Sequence, residues 1–262
     1  MEIKKFSPDN IPLLEFDPDK TALIEPHRIF KRASLPEYCV LPFFPSLIEN
    51  LKQAGKLVRI HELSISGISL LPFDLYKTEF EKKSVTVAFP GVGAPYSAAI
   101  FEELIASGCR KFVACGWCGV LKPELKNGEI IIPAVAVRDE GTSYHYLSQS
   151  RTVEMNTNVV KKLEAVLEKH HIAYETGKNW TTDAFYRETR GKIAIRKAEG
   201  CISVDMECSA LLAVSQFRGV SLGLYMTASD NISGDTWDTN IERRFGKKEK
   251  LFWLSVEACL SL

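Results

Sequence analysis

Three short stretches place chemically capable side chains where the chain changes direction. Val204-Asp205-Met206-Glu207-Cys208 sets two carboxylates at a predicted strand-to-helix junction. Asp205 suits an N-cap, and Glu207 a first helical turn, where the dipole favours negative charge. Glu207 also suits a second task, gripping a sugar diol through two hydrogen bonds. Thr227-Ala228-Ser229-Asp230-Asn231 turns polar directly after an apolar strand. Asp230 there reads either as a turn cap or as a partly desolvated acid that hands a proton to a leaving group. Pro90-Gly91-Val92-Gly93-Ala94-Pro95 is a glycine-rich turn between strand and helix. Gly91 and Gly93 allow close backbone approach and can aim amide N–H groups at an anion or a hydroxyl. A tight turn without a ligand reads equally well. It is not a dinucleotide fingerprint, because Tyr96 or Ser97 stands where the third glycine belongs.

The elements that must position these residues recur as strand, turn and helix. Strands are predicted over 84–89, 111–115, 129–137, 174–180, 201–204 and 221–227, and helices over 96–107, 157–171, 206–217 and about 239–260. Gly116-Trp117-Cys118-Gly119 reads as a loop closing the second strand. Pro133 should bend the third or put it at an edge. This order predicts an α/β fold: a single domain over 21–262, behind an N-terminal extension over 1–20, with a central mixed sheet flanked by helices. Ligands of such sheets bind beyond the carboxyl ends of strands, which points to the loops after Phe89, Cys115, Trp180, Val204 and Thr227.

Composition narrows the function classes. Thirty-three basic residues balance 33 acidic ones over 262 residues, so no electrostatic footprint for nucleic acid or an anionic membrane is expected. No apolar run approaches the ~18 residues of a membrane span, and the N-terminus lacks the pattern of a secretory signal. The cytoplasm is the expected location. Seven scattered cysteines do not form a disulfide framework. Cys115-x-x-Cys118 lacks the second pair that a zinc site needs, so a structural role is expected over a redox or metal one.

The stretches PGVGAPYSAAIFEELIASG, GWCGVLKPELKNGEIIIP, DEGTSYHY, TTDAFY, VDMECSAL and ASDN, in this order and spacing, resemble the nucleoside phosphorylase family, and within it the uridine phosphorylases. The resemblance runs from about Thr21 to the C-terminus. It implies cleavage of the N-ribosidic bond of a nucleoside, a homodimer or homohexamer, and no cofactor, with orthophosphate as co-substrate if the cleavage is phosphorolytic. It also implies site roles. Met206 and Glu207 hold the ribose, with His145 reaching the sugar and a partner subunit. Asp230 donates a proton to the base, and Phe185 supplies the aromatic of the base pocket, with Arg187 and Trp117 beside it.

The sequence departs from the family where phosphate should bind. The early Gly-Asp-Pro-x-Arg turn of phosphorolytic members falls on Ile24-Glu25-Pro26-His27-Arg28, which keeps Arg28 but has Glu25 as its acid. The family's central-strand arginine falls on Ala114 and its small hydroxyl residue on Trp117. Two readings stay open. Either water is the nucleophile, with Glu25 as candidate base, or Arg28 and the amides of Gly91 and Gly93 rebuild an anion site with help from Arg138, Arg187 or Arg190. A third reading, from a different class, is a nucleoside-binding or sensor protein that keeps the ribose grip without turnover.

Overall fold

The computed structural model describes residues 11–29, 35–63, 73–126, 128–239 and 248–262. After a short helix α1 (Pro26–Ile29), the order is β1 (Tyr38–Pro42), α2 (Pro45–Gln53), β2 (Val58–Leu63), β3 (Phe73–Phe80), β4 (Lys83–Ala88), α3 (Ala94–Ala106), β5 (Lys111–Val120), β6 (Ile130–Asp139), β7 (Thr152–Glu154), α4 (Thr157–Lys169), β8 (Tyr174–Thr182), α5 (Arg190–Ala198), β9 (Cys201–Asp205), α6 (Cys208–Arg218), β10 (Ser221–Asn231) and α7 (Lys248–Ser261). All ten strands join one mixed sheet. The α/β class and the flanked central sheet are as the sequence predicts.

The sheet has two parts. β5, β10, β6, β8 and β9 pair in a ring that returns to β5, and β1, β4, β3 and β2 extend from β5 as an open wing. β5 therefore serves three neighbours. Along one edge it pairs with β10 from Lys111 onward. Along the other it pairs with β1 only to Cys115, and with β9 only from Gly119. Between those points Gly116, Trp117 and Cys118 border no strand on this second edge, and the sheet parts there. α7 lies on β1 and β5, α4 on α7 and β10, while α3 and α6 pack on each other. The main core is joined by a second, smaller cluster of Leu121, Val137, Trp180, Cys201 and Val204. In the main core Phe101 and Phe112 meet edge to face at 4.6 Å, and buried Tyr225 donates its hydroxyl hydrogen to the Leu163 carbonyl at 2.6 Å.

Local rules account for the element ends. Asn156 caps α4 by accepting from the Asn158 N–H, Thr189 caps α5 by accepting from the Lys192 N–H, and α6 stops at Gly219 in a left-handed conformation. Three expectations change. β5 does not end at Cys115 but runs through Gly116-Trp117-Cys118-Gly119 to Val120, because β10 supplies its ladder all the way. These glycines answer to close approach: a Cβ on Gly116 would lie 3.1 Å from Phe43 Cβ, and one on Gly119 would lie 2.9 Å from Val204 Cγ1. β10 likewise continues to Asn231. β6 is interior, and it meets Pro133 with a bulge in its pairing with β8; β10 borders its other side to Ile131 and β7 from Val135, so Pro133 falls between those two neighbours. The expected last helix is seen from Lys248, and 240–247 lie outside the described residues.

Among the described residues no helix is long and apolar enough to cross a membrane. All seven cysteines are free and buried. Cys115 and Cys118 stand three apart on one strand, so their side chains project to opposite faces and cannot be bridged. Burial pushes the Cys115 thiol up to about 12 and the Cys118 thiol well above its ordinary value, with the nearby Asp205 and Asp230 charges adding to the second. The native protein is therefore expected to leave a thiol reagent such as dithionitrobenzoate unconsumed, and the denatured protein to consume seven equivalents per chain. Rapid modification of Cys115 or Cys118 in the native state would contradict their purely structural role.

Candidate active site

The parting beside β5 opens into a cleft of about 790 Å³, walled by Phe43 and Pro45, Trp117 to Gly119, Phe185, Tyr186, Glu188, Val204 to Glu207, Ser229, Asp230 and Trp237. It lies where the strand order switches, as in open α/β sheets generally. Asp230 reaches it through a fault in the ladder. β10 and β5 are in register up to Ala228 and Cys118, and again at Asn231 and Val120. Ser229 and Asp230 thus oppose Gly119 alone, a bulge that re-aims the side chain. Among the described residues the Asp230 carboxylate accepts from the Ser229 hydroxyl at 2.7 Å on Oδ1 and from the Trp237 indole N–H at 2.8 Å on Oδ2.

The other acidic end is built on Asp205. Its Oδ1 accepts from Asn179 at 2.6 Å and Thr181 at 2.8 Å, and its Oδ2 from the backbone N–H groups of Glu207 at 3.1 Å and Cys208 at 2.7 Å. The helix begins at Cys208 rather than Met206, so Glu207 and not Asp205 holds the N-cap position, while Asp205 satisfies two backbone N–H groups at that junction from two residues further back. The Glu207 Oε1 accepts from the Gly93 N–H at 2.6 Å. The glycine turn thus presents its amide to the protein's own carboxyl. Gly91 has a separate role, since its φ is +79° and a Cβ there would fall 1.8 Å from the Tyr96 ring. Burial raises the Glu207 carboxyl to about 8, and the Asp205 charge adds to this.

The structure brings together Met206, Glu207, Asp230, Phe185 and Trp117 in this one cleft. Phe185 lies against Tyr186 with ring centroids 4.0 Å apart and the ring planes tilted by 38°. Trp117 meets Phe44 edge to face at 5.1 Å, with the Lys248 ammonium 4.5 Å above its ring. His145 is exposed on the turn over Thr142–His145 and does not line the cleft; Arg187 is exposed beside it and does not line it either. Arg138 is committed elsewhere, donating to Ser143, Leu147, Ser148 and Ser150. Arg190 donates to the Asp235 carbonyl at 3.1 Å.

The early turn is placed differently from the expectation. Glu25 is buried outside the cleft, accepting from the Ala22 N–H at 2.6 Å, in a separate hollow of about 560 Å³ shared with Glu102, Arg110 and Arg218. Arg28 falls in α1, and its side chain lies outside the described residues. The turn that enters the cleft is Phe43-Phe44-Pro45, which leaves the carboxyl end of β1 beside β5. The reason is topological: Ile24 to Arg28 precede the first strand and so cannot follow its end. Five lining residues carry no sequence-based expectation: Phe43, Pro45, Glu188, Ile232 and Trp237. The Phe-Phe-Pro closing an apolar run was an available signal for the first two. Glu188 and Trp237 sit in polar stretches that give none. Among the described residues, no Lys, Arg or His lines the cleft, and no group of His, Cys, Asp and Glu could hold a metal ion.

Comparison with known proteins agrees with this fold. The chain matches the family model of the phosphorylase superfamily over residues 37–255, which starts after Arg28 and includes the Phe43-Phe44-Pro45 turn. It is 23% identical over 208 residues, 79% of this chain and 84% of the relative, to a guanosine phosphorylase of Halorubrum lacusprofundi. The fold is similar to a purine nucleoside phosphorylase of Toxoplasma gondii in complex with immucillin-H, with a TM-score of 0.76 at 20% identity, covering 92% of this chain and 97% of that one. It is also similar to a 5′-methylthioadenosine/S-adenosyl homocysteine nucleosidase of Campylobacter jejuni, with a TM-score of 0.71 at 16% identity, covering 87% and 100%.

Because four donors converge on Asp205, its removal strands buried groups and frees Glu207. Asp205→Ala is expected to cost roughly 3 kcal/mol or more in urea unfolding, since hydrogen bonds to a charged group contribute about 1.5–3 kcal/mol each. A loss below about 1 kcal/mol would show that the junction holds without the carboxylate.

Proposed function

The chain belongs to the phosphorylase superfamily, and from that premise we propose that it breaks the N-ribosidic bond of a nucleoside with water as the attacking group. Glu207 accepts the ribose hydroxyls, and Met206 packs under the sugar. Phe185 and Tyr186 supply aromatic faces for the base, and the carboxyls of Asp230 and Glu188 stand at the leaving-group end. The bond opens with positive charge developing on the sugar. A cleft lined by carboxyls favours that charge electrostatically, which is usually the largest catalytic effect.

The observation that carries the choice of water is the make-up of the nucleophile's end. Phe43, Pro45 and Trp117 line it, with Phe44 buried behind Trp117 and Ala114 fully buried where the family's arginine would stand. A phosphate dianion needs paired donors and compensating positive charge. The burial and negative charge that raise Glu207 to about 8 work equally against a further anion. At an effective dielectric constant of 20, two like charges about 4 Å apart repel by about 4 kcal/mol. Water carries no charge and meets no such barrier. The homo-oligomer implied by the family stays part of this reading, with His145 on an exposed turn that a second subunit can reach.

The test incubates the protein with inosine, guanosine, adenosine and uridine, with and without phosphate, and follows free base and sugar product. Free ribose in equal yield under both conditions is the expected result. Ribose 1-phosphate formed only when phosphate is present would overturn the hydrolytic reading, and nucleoside binding without base release would replace the enzyme by a binding protein. Glu207→Ala should lower kcat/KM by about 10²-fold, the cost of losing sugar positioning.

A further inference from the structure

The four carboxyls of the cleft differ sharply in their partners. Asp205 accepts from four donors, Glu207 accepts from the Gly93 amide, and Asp230 accepts on both oxygens. The Glu188 carboxyl lines the same cleft, and no hydrogen bond or ion pair holds it among the described residues. Its backbone is firmly placed. Its N–H donates to the Phe185 carbonyl at 3.2 Å, and the next residue, Thr189, caps α5. The segment across from it is tied to the same helix, since Arg190 donates to the Asp235 carbonyl and Lys197 to the Ser233 carbonyl. Trp237, in that segment, fixes Asp230. Glu188 and Asp230 are thus locked into one corner of the cleft, beside Phe185.

We propose that Glu188, and not Asp230, is the carboxyl that delivers the proton to the departing base, with Asp230 as the fixed charge that keeps the proton on it. The assignment rests on the N-ribosidic cleavage proposed above. A carboxylate that accepts two hydrogen bonds is stabilised in its ionised form, whereas an unpartnered carboxyl in a partly buried site favours its neutral form. The two environments push neighbouring acids apart, which is how one site sets which group donates. Burial raises Glu188 to about 7, and the Asp230 charge is the second cause. The other charged groups lining the cleft are Asp205 and Glu207, both acidic. The flanking cations are turned to other tasks or away, Arg190 to Asp235 and Arg187 to solvent.

In the reaction, the bond from C1′ to the base nitrogen breaks and its electron pair leaves with the base. The Glu188 O–H proton passes to a ring nitrogen of the base, leaving a carboxylate. The water oxygen bonds to C1′, and the proton it sheds restores Glu188. The sum is nucleoside plus water giving base plus ribose.

The experiment compares wild type, Glu188→Gln and Asp230→Asn on a nucleoside and on 4-nitrophenyl β-D-ribofuranoside, whose phenolate leaves without a proton. Wild-type kcat/KM on the nucleoside should fall as pH rises through about 7, as Glu188 loses its proton. Glu188→Gln should lose about 10²–10⁴-fold on the nucleoside, lose that pH limb, and keep its rate on the nitrophenyl riboside, which also shows that it is folded. Asp230→Asn should move the limb to lower pH, because the charge that raises Glu188 is gone. Glu188→Gln with unchanged nucleoside activity, equal loss on both substrates, or an unmoved limb in Asp230→Asn would overturn the assignment while leaving the cleavage reading intact. A wild type that cleaves neither substrate would overturn both.

Discussion

The structure depends on one constraint: β5 has two edges and three neighbours. β10 takes one edge whole, and β1 and β9 divide the other, so between Cys115 and Gly119 that second edge has no strand beside it. Buried backbone must find partners, and here the turn after β1 contributes one, the Phe43 N–H donating to the Cys115 carbonyl at 2.8 Å. The same parting admits the loops from β1, β9 and β10 to a single place. The cleft is therefore not an addition to the fold but the site where its sheet cannot be continuous.

Electrostatics in that place follow from who supplies donors. Asp205 sits at the base of the cleft, buried and accepting from two side chains and two backbone amides. This arrangement satisfies two backbone N–H groups at the start of α6 and leaves Glu207 at the N-cap, where the Gly93 amide meets it. Burial raises both Glu207 and Glu188, and the negative charge of Asp205 and Asp230 beside them adds to it. Raised carboxyls carry a cost in stability: the folded state binds more protons than the unfolded one between the ordinary and the raised value, so stability falls as pH climbs through that window. For Glu207 the window runs from its ordinary 4.5 to about 8. A site that holds neutral acids near pH 7 accepts that cost for its chemistry.

The nucleophile's end shows the opposite logic. That end of the cleft is aromatic: Phe44 and Trp117 meet edge to face, and Lys248 lies over the Trp117 ring rather than in the cleft. Ala114 is fully buried on β5 nearby, and a cationic side chain in its place would need its own partner.

Much of this was legible in the sequence. Alternating strand and helix signals located nearly all elements from residue 84 onward, since period and caps are local properties. Val204 to Cys208 and Ser229-Asp230 stood out because polar residues directly after apolar strands have few structural reasons to be there. The resemblance to nucleoside phosphorylases named the chemistry. Tertiary structure alone decided the rest, because pairing between distant strands has no local signature. It made Gly116-Trp117-Cys118-Gly119 part of a strand, since β10 runs beside it. It moved the early turn from Ile24–Arg28 to Phe43-Phe44-Pro45, since only the latter follows a strand at the parting. And it set Glu188, an acid in a polar stretch without any local distinction, beside Asp230, where burial and a neighbour's charge give it a different character.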